Sequence, residues 1–145
     1  MTATLPAAQE TRSRWRRMQG PTLLAGGVLG ASVLLHLRDP HQSGSYAYCP
    51  WLLLTGTYCP GCGGLRAVND LTNGDLAGAA SSNLLFVVSV PVLVLWWART
   101  VRDRWQGRVR QVAARRHATL AVAFLVLALV FAVVRNLPFG AWLAP

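Results

Sequence analysis

The sequence predicts an all-α, polytopic membrane protein with three transmembrane helices. Apolar residues make up 53% of the 145 residues and charged residues only 13%, whereas soluble domains carry about 25% charged residues. The charge is also unevenly placed, because three long apolar stretches are almost free of it and nearly all of it lies between them. This alternation is typical of membrane proteins rather than of a soluble core.

The three apolar stretches are the expected spans. Residues 21–37 are just long enough to cross a bilayer at about 1.5 Å per residue. Residues 76–97 begin with small, weakly polar side chains that suit helix packing, and Trp96 and Trp97 at their end are typical of an interfacial aromatic belt. Residues 118–134 are apolar throughout. Within the second span, Pro91 predicts a kink.

The distribution of arginine predicts the orientation. Residues 1–20, expected to form a disordered tail, carry four arginines, and the loop 98–117 carries seven. The remaining three lie in the loop 38–63, in the segment that follows it and near the C-terminus. Cytoplasmic loops carry the arginine excess. We therefore expect the tail and the loop 98–117 to be cytoplasmic, and the loop 38–63 and the C-terminus to be extracytoplasmic, on a single membrane domain of residues 21–145.

The net charge of +9 is explained by these flanking arginines. No interleaving of aromatic and basic residues and no nucleic-acid-binding motif accompanies it, so we expect no nucleic-acid partner. The expected partners are membrane lipid and either another membrane protein or a second copy of this chain.

All three cysteines lie in the loop 38–63, where nine residues separate Cys49 from a compact motif. Residues 62–73 are expected to form a short interfacial or re-entrant helix that ends at an Asn-Gly pair. Asp75 is then placed to cap the next helix. The compact motif is Cys59-Pro60-Gly61-Cys62-Gly63.

The first hypothesis for this motif is thiol–disulfide chemistry. A C-x-x-C motif that opens a helix places Cys59 and Cys62 beside unpaired N–H groups and the positive end of the helix dipole, which stabilise a thiolate. Arg66, one turn after Cys62, adds positive charge. These three residues are the candidate catalytic residues of a membrane thiol–disulfide oxidoreductase, although the βαβ pattern of thioredoxin-like enzymes is missing.

The second hypothesis is a metal site, with zinc as the cofactor. The motif is also typical of a zinc knuckle, in which a tight turn supplies two thiolates, and tetrahedral zinc takes four ligands. Cys49 is the candidate third ligand and His41 the candidate fourth, beside Cys59 and Cys62. A second C-x-x-C pair is absent from the sequence.

The third hypothesis is a structural disulfide from Cys49 to either Cys59 or Cys62. Closing a loop of this length stabilises a protein by roughly 3 kcal/mol. The favoured function is a structural or partner subunit whose loop is fixed by a disulfide or a metal ion, with the oxidoreductase as the alternative. Whether the chain is an enzyme stays open at this point.

Other polar residues have structural interpretations first. Arg66 and Asp70, four residues apart, can pair across one helical turn. Asn83 lies where the second span enters the membrane and is expected to pack against a neighbouring helix or the cysteine loop. Arg135 is expected to snorkel to the interface, with contact between the cysteine loop and the pair Arg135 and Asn136 as the other interpretation.

A specific combination of residues is spread over positions 49–91: Cys49-Pro50, Tyr58 to Gly63, Arg66-Ala67, Gly74-Asp75-Leu76, Ala79 or Ala80, Asn83 and Pro91. With these residues the segment resembles a bacterial family of short membrane proteins, the domain of unknown function 2752. Leu65 stands where many members have threonine. The resemblance implies a bacterial inner-membrane location and no specific activity. It also supports treating the motif and nearby residues as one constellation, to which we assign Pro60, Gly61, Gly63, Arg66, Asp70, Asp75 and Asn83.

Overall fold

The computed structural model describes residues 8–42, 45–46, 49–108 and 114–144, and over these ranges the chain is helical without any strand. The helices are α1 (Ala8–Leu37), α2 (Pro50–Thr55), α3 (Gly64–Thr72), α4 (Leu76–Trp105) and α5 (Ala114–Arg135), followed by a 3-10 helix (Pro138–Leu143).

Three of these helices contain stretches that are long and apolar enough to cross a membrane. The stretches are Arg14–Leu37 in α1, Leu76–Trp105 in α4 and Ala118–Arg135 in α5. Most of their large apolar side chains are exposed at the surface of the chain, as expected of side chains that lipid surrounds. The predicted fold class is confirmed, and the three candidate spans indicate a multi-pass membrane protein.

The helices are longer than the apolar stretches. α1 begins at Ala8, inside the predicted tail 1–20, and α4 continues to Trp105, inside the predicted loop 98–117. Hydropathy marks the lipid-embedded part of a helix, whereas arginine is a good helix former and lets the helix continue outside that part. Residues 1–7 of the predicted tail and 109–113 of the predicted loop lie outside the described residues.

One short helix, α2, was not predicted, and it lies within the segment expected to be a loop. Pro50 is at its start, where a fixed φ and a missing N–H are tolerated. Gly56 ends it with a φ of 68°, a left-handed conformation that glycine adopts without steric cost. Because α2 is only six residues long, its apolar residues carry no helical periodicity by which the sequence could reveal it.

The helices α3 and α4 pack closely against each other across a tight corner. Ala67 of α3 and Ala79 of α4 are completely buried. At the corner, Gly74 has a φ of 78°, and the Asp75 carboxylate accepts a hydrogen bond of 2.8 Å from the N–H of Gly78. The Asn-Gly ending of α3 and the N-cap of α4 therefore lie where the sequence predicted them.

α4 contains one interruption, and its position differs from the predicted kink. Asn83 has a non-helical backbone with φ −161° and ψ 92°, while Pro91 lies inside the helix that continues beyond it. The side chain of Asn83 accepts a 2.9 Å hydrogen bond from the N–H of Phe86, and so caps the second part of α4. The sequence favoured proline because a ring removes a hydrogen bond locally, whereas the asparagine break depends on distant partners.

α1 packs against α3 and α4, whereas the main contacts of α5 are with the 3-10 helix. The Asn69 amide of α3 donates a 2.7 Å hydrogen bond to the carbonyl of Leu35 in α1. Near the middle of α1, the Trp97 indole donates to the carbonyl of Pro21 at 3.3 Å. α5 is joined to the rest chiefly through its C-terminal end and through the 3-10 helix, which folds back on α5 and also touches α4.

We expect Gly140→Ala to destabilise the protein, because a methyl group there would overlap the backbone carbonyl of Val134. Overpacking of this kind costs about 1–3 kcal/mol. Thermal unfolding in detergent should show a lower Tm than that of the native protein. The matched control is Gly26→Ala, where an added methyl meets no atom within 4 Å and Tm should not fall. Equal Tm values for both variants would contradict the packing of the 3-10 helix on α5.

Candidate functional site

The three cysteines converge on one place although they are separated in sequence. Their sulfur atoms all lie within 4.8 Å of one another. The Sγ atom of Cys59 is 3.6 Å from that of Cys49 and 3.0 Å from that of Cys62. Cys62 is buried, whereas Cys49 and Cys59 are partly exposed. The cluster is thus a compact set of soft ligand atoms with one side accessible.

Two consecutive tight turns shape the Cys59 to Gly63 motif. The N–H of Cys62 donates to the carbonyl of Cys59 at 3.1 Å, and the N–H of Gly64 donates to that of Gly61 at 3.0 Å. Gly63 has a φ of 81°, which keeps it out of the right-handed helix. The helix therefore begins at Gly64 rather than at Cys62. Cys59 does not occupy the first helical turn, which weakens the dipole argument for its activation.

The third cysteine reaches the cluster because it directly precedes α2. The carbonyl of Cys49 accepts a hydrogen bond of 3.1 Å from the N–H of Leu53 in the first turn of that helix. The backbone N–H of Leu52 lowers the pKa of the Cys49 thiol below its ordinary value. Burial has the opposite effect on Cys62 and raises its pKa to about 12. Without a cation, Cys62 is therefore a neutral thiol at neutral pH.

Two buried side chains hold the motif through its backbone carbonyls. Arg135, at the end of α5, donates from Nη1 to the carbonyls of Cys59 at 3.0 Å and Cys62 at 3.1 Å. Asn83, at the break in α4, donates from Nδ2 to the carbonyls of Pro60 at 2.9 Å and Cys62 at 3.0 Å. Both side chains are 1% exposed. We call this pair the carbonyl clamp.

The guanidinium of Arg135 is buried without an acidic partner. Nη2 donates to the carbonyl of Leu143 at 2.9 Å, and the group lies 5.6 Å from the ring centre of Tyr58 and 5.0 Å from that of Phe131. Over the described part of the chain, no carboxylate lies within salt-bridge distance of it, and its Nε has no hydrogen-bond partner. A buried cation of this kind is costly unless an anion compensates it.

The neighbouring residue Asn136 attaches the same end of α5 to the cysteine loop. Its side chain accepts from the N–H of Tyr58 and donates to the carbonyl of Tyr58, each at 2.9 Å. The favoured interpretation of Arg135, snorkelling toward the interface, is therefore wrong, because the side chain turns inward to backbone carbonyls of the cysteine turn. The other interpretation, contact of both residues with the cysteine loop, describes the structure.

The predicted residues Arg66, Asp70 and His41 form a second group of contacts away from the sulfur atoms. The ring of His41 bonds Asp39 through Nδ1 at 2.9 Å and Asp70 through Nε2 at 3.4 Å. The Ser82 hydroxyl donates to the other oxygen of Asp70 at 2.8 Å. Hydrogen bonds from His41 hold the pKa of Asp39 below its ordinary value, and the charge of Arg66 lowers it further.

This arrangement engages His41 with carboxylates rather than with the thiols. The described group of potential metal ligands contains the three cysteines and not His41, whose two ring nitrogens face carboxylates. Asp70 pairs with His41, and no ion pair joins Asp70 to Arg66 among the described residues. The assignment of these residues to catalysis or metal binding stays a prediction. A positive charge that does contact the motif is that of Arg135, which lies 73 positions after Cys62.

The remaining predicted residues have identifiable positions around the motif. Pro60 and Gly61 line an apolar cavity of about 290 Å³ between α4 and α5, together with residues such as Phe86 and Phe124. Gly63 provides the left-handed turn, and Asp75 caps α4 at the corner rather than at the sulfur atoms.

The fold and the site define a class of protein: a helical, multi-pass membrane protein with a three-cysteine cluster fixed by buried polar side chains. Residues 49–97 match the family model described as "Protein of unknown function (DUF2752)", so the resemblance is confirmed over that segment. The matched segment contains all three cysteines and Asn83, whereas Arg135 lies outside it. Neither the curated proteins nor the solved structures give a match to the chain.

Proposed function

We propose that this protein is a non-catalytic membrane subunit whose cysteine loop binds one soft divalent metal ion, zinc, through the thiolates of Cys49, Cys59 and Cys62. The observation that carries the proposal is the convergence of three sulfur atoms within 4.8 Å. Thiolate sulfur is a preferred ligand of zinc. The ion would connect α2 to the turn before α3 and so fix the loop on the membrane helices.

The convergence of three sulfur atoms, rather than two, supports a metal ion over a disulfide, and their separations are compatible with a zinc site. Zn–S bonds of about 2.3 Å in a tetrahedron set the sulfur atoms about 3.8 Å apart. The separation between Cys49 and Cys59 is 3.6 Å, and the 3.0 Å between Cys59 and Cys62 needs to widen by less than 1 Å. A disulfide joins two sulfur atoms only, and it would leave the third thiol of this cluster without a role.

The charge of Arg135 supports the same proposal. Three thiolates and one divalent ion carry a net charge of −1, which a single guanidinium neutralises. Three neutral thiols, or a disulfide with one neutral thiol, would leave the buried cation without a compensating charge among the described residues. Burial raises the pKa of Cys62, so a bound cation would have to displace the proton of that thiol.

A second function has one specific observation in its favour. Cys59 lies near both other sulfur atoms, and the pKa of Cys49 is lowered. A Cys49 thiolate could attack a Cys59–Cys62 disulfide, forming a Cys49–Cys59 bond and releasing Cys62 as the thiolate that then takes up a proton. An oxidoreductase would use this exchange with a partner disulfide, in which case the three thiols would cycle between redox states rather than hold metal.

The orientation belongs to the proposal as well. Eleven arginines flank one end of the candidate spans in the sequence and three lie toward the other, which favours an extracytoplasmic cysteine cluster. The described ends of α1 and α4 support this grouping, because Arg104 of α4 donates to the backbone carbonyl of Arg17 in α1 at 3.2 Å. A cluster on that side would meet an oxidising environment, and bound metal would protect its thiols.

We expect about one zinc ion per chain when the protein is purified in detergent without chelator and analysed by mass spectrometry of its metals. Each of Cys49→Ser, Cys59→Ser and Cys62→Ser removes one of the three ligands and should abolish retention. His41→Ala is the matched control and should retain the metal, because His41 is engaged by carboxylates. A metal content near zero with three free thiols contradicts the proposal. A disulfide that changes with added dithiol would favour the oxidoreductase instead.

We expect Arg135→Gln to weaken zinc affinity about 10- to 100-fold, as is usual when a group outside the ligand shell is lost. Arg135→Lys keeps the charge and should lose less. Competition with a chromophoric chelator measures both affinities. Asn136→Ala alters the same end of α5 without changing charge and serves as the control. If Arg135→Gln folds and binds zinc like the native protein, the charge argument is wrong.

The orientation is tested by cysteine labelling in intact cells, with the three native cysteines replaced by serine. Leu54→Cys places a thiol on an exposed position of α2, and Trp105→Cys places one at the end of α4. A membrane-impermeant maleimide should label Leu54→Cys in intact cells and Trp105→Cys only after permeabilisation. The reversed pattern would invert the topology.

A further inference from the structure

We propose that the metal centre keeps its fourth coordination position open and that this position binds a thiolate from outside the chain. The inference rests on the proposed zinc site and adds the class of ligand that the site would take. Zinc is four-coordinate in most proteins, and sites with three protein ligands keep an exchangeable position for water or substrate.

The described part of the chain brings three ligands to the cluster and no fourth. The group of potential ligands consists of Cys49, Cys59 and Cys62, and both nitrogens of His41 face carboxylates. The neighbouring loop positions that lie outside the described residues are serine, glycine, alanine and tyrosine in the sequence. None of these is a usual zinc ligand.

The structure also leaves room for an external donor beside Cys59. Cys49 and Cys59 are partly exposed. A Cβ atom added at Gly61 would meet only the Sγ atom of Cys59, at 3.9 Å, so this side of the turn is open next to a ligand sulfur. The carbonyls of the turn are covered by Arg135 and Asn83. An incoming molecule therefore approaches from the Gly61 side of the turn, beside the Sγ atom of Cys59.

The chemistry of the three ligands favours a thiolate as the fourth. A site of soft thiolates selects soft metals, and four thiolates form a common closed zinc site. In the exchange, a zinc-bound water leaves, the incoming thiol gives its proton to solvent, and a Zn–S bond forms without electron transfer. A small thiol and a cysteine side chain of another protein share this chemistry.

The test uses the full-length protein in detergent with Co²⁺ in place of zinc, because the visible absorption of Co²⁺ reports its donor atoms. Glutathione and 2-mercaptoethanol are added as probes. We expect a saturable change in the d–d bands, added thiolate-to-metal absorption, one thiol bound per metal ion and one proton released. Imidazole, offered at the same concentrations, should bind more weakly than either thiol.

Gly61→Leu tests the direction of approach. Its side chain should cover the sulfur of Cys59 and weaken thiol binding at least tenfold, with Co²⁺ stoichiometry unchanged. Gly30→Leu is the matched control, because an added Cβ there meets no atom within 4 Å and Gly30 lies in α1, outside the cysteine turn; it should bind the probes like the native protein. Circular dichroism confirms that both variants are folded.

The outcomes separate this inference from the proposed zinc site. Failure to bind Co²⁺ at all overturns both. If one Co²⁺ ion binds per chain but its absorption spectrum does not change with any added thiol, at any protein concentration, the open position is overturned. The three-thiolate site is then still supported. A four-thiolate spectrum that is present before any thiol is added and is lost on dilution supports the inference and identifies a second copy of the chain as the source.

Discussion

A guanidinium that is withdrawn from water at the end of a membrane span needs hydrogen-bond acceptors and a compensating charge, or it destabilises the fold by several kcal/mol. In this protein Arg135 finds its acceptors in the backbone carbonyls of Cys59, Cys62 and Leu143. Because those carbonyls belong to the cysteine turn and to the 3-10 helix, this side chain joins the end of α5 to both of them, beside the hydrogen bonds of Asn136 to Tyr58. The position of the cysteine turn and the attachment of α5 therefore depend on the same hydrogen bonds.

Asn83 holds the cysteine turn from α4. An uninterrupted helix would use the backbone of α4 entirely for its own hydrogen bonds, whereas the break at Asn83 leaves the side chain able to cap Phe86 and to donate to Pro60 and Cys62. The Asn83 amide thus links the second part of α4 to the cysteine turn. Arg135 of α5 binds the same turn. The side chains that fix the site are concentrated at one end of the spans, and along the spans most large apolar side chains are exposed.

The sequence was informative where the physics is local. The apolar stretches predicted three spans, the Asn-Gly pair predicted the end of α3, and Asp75 was correctly expected to cap α4. These features depend on hydropathy, on left-handed dihedrals and on a carboxylate a few residues from its N–H partner, all of which a short window contains.

The features that were missed depend on distant partners. The sequence could not show that Arg135 turns inward, because its acceptors lie about 75 positions earlier, and a terminal arginine is usually solvated. His41 was a reasonable ligand by type, yet Asp39 and Asp70 engage its ring. The convergence of Cys49 with the other two cysteines required α2, whose six residues are too few to show a period.

The burial of Cys62 and the burial of Arg135 are each energetically unfavourable for a charged side chain. A metal cation at the thiols would reduce both costs. Cys62 is buried, so its thiolate is disfavoured and its pKa lies near 12. Arg135 is buried, and no counter-ion pairs with its positive charge among the described residues. In the proposed zinc site, a divalent ion bound by three thiolates would displace the proton of Cys62 and give the site a single negative charge beside Arg135. Since Arg135 also anchors α5, metal binding and the position of that helix are expected to be thermodynamically linked.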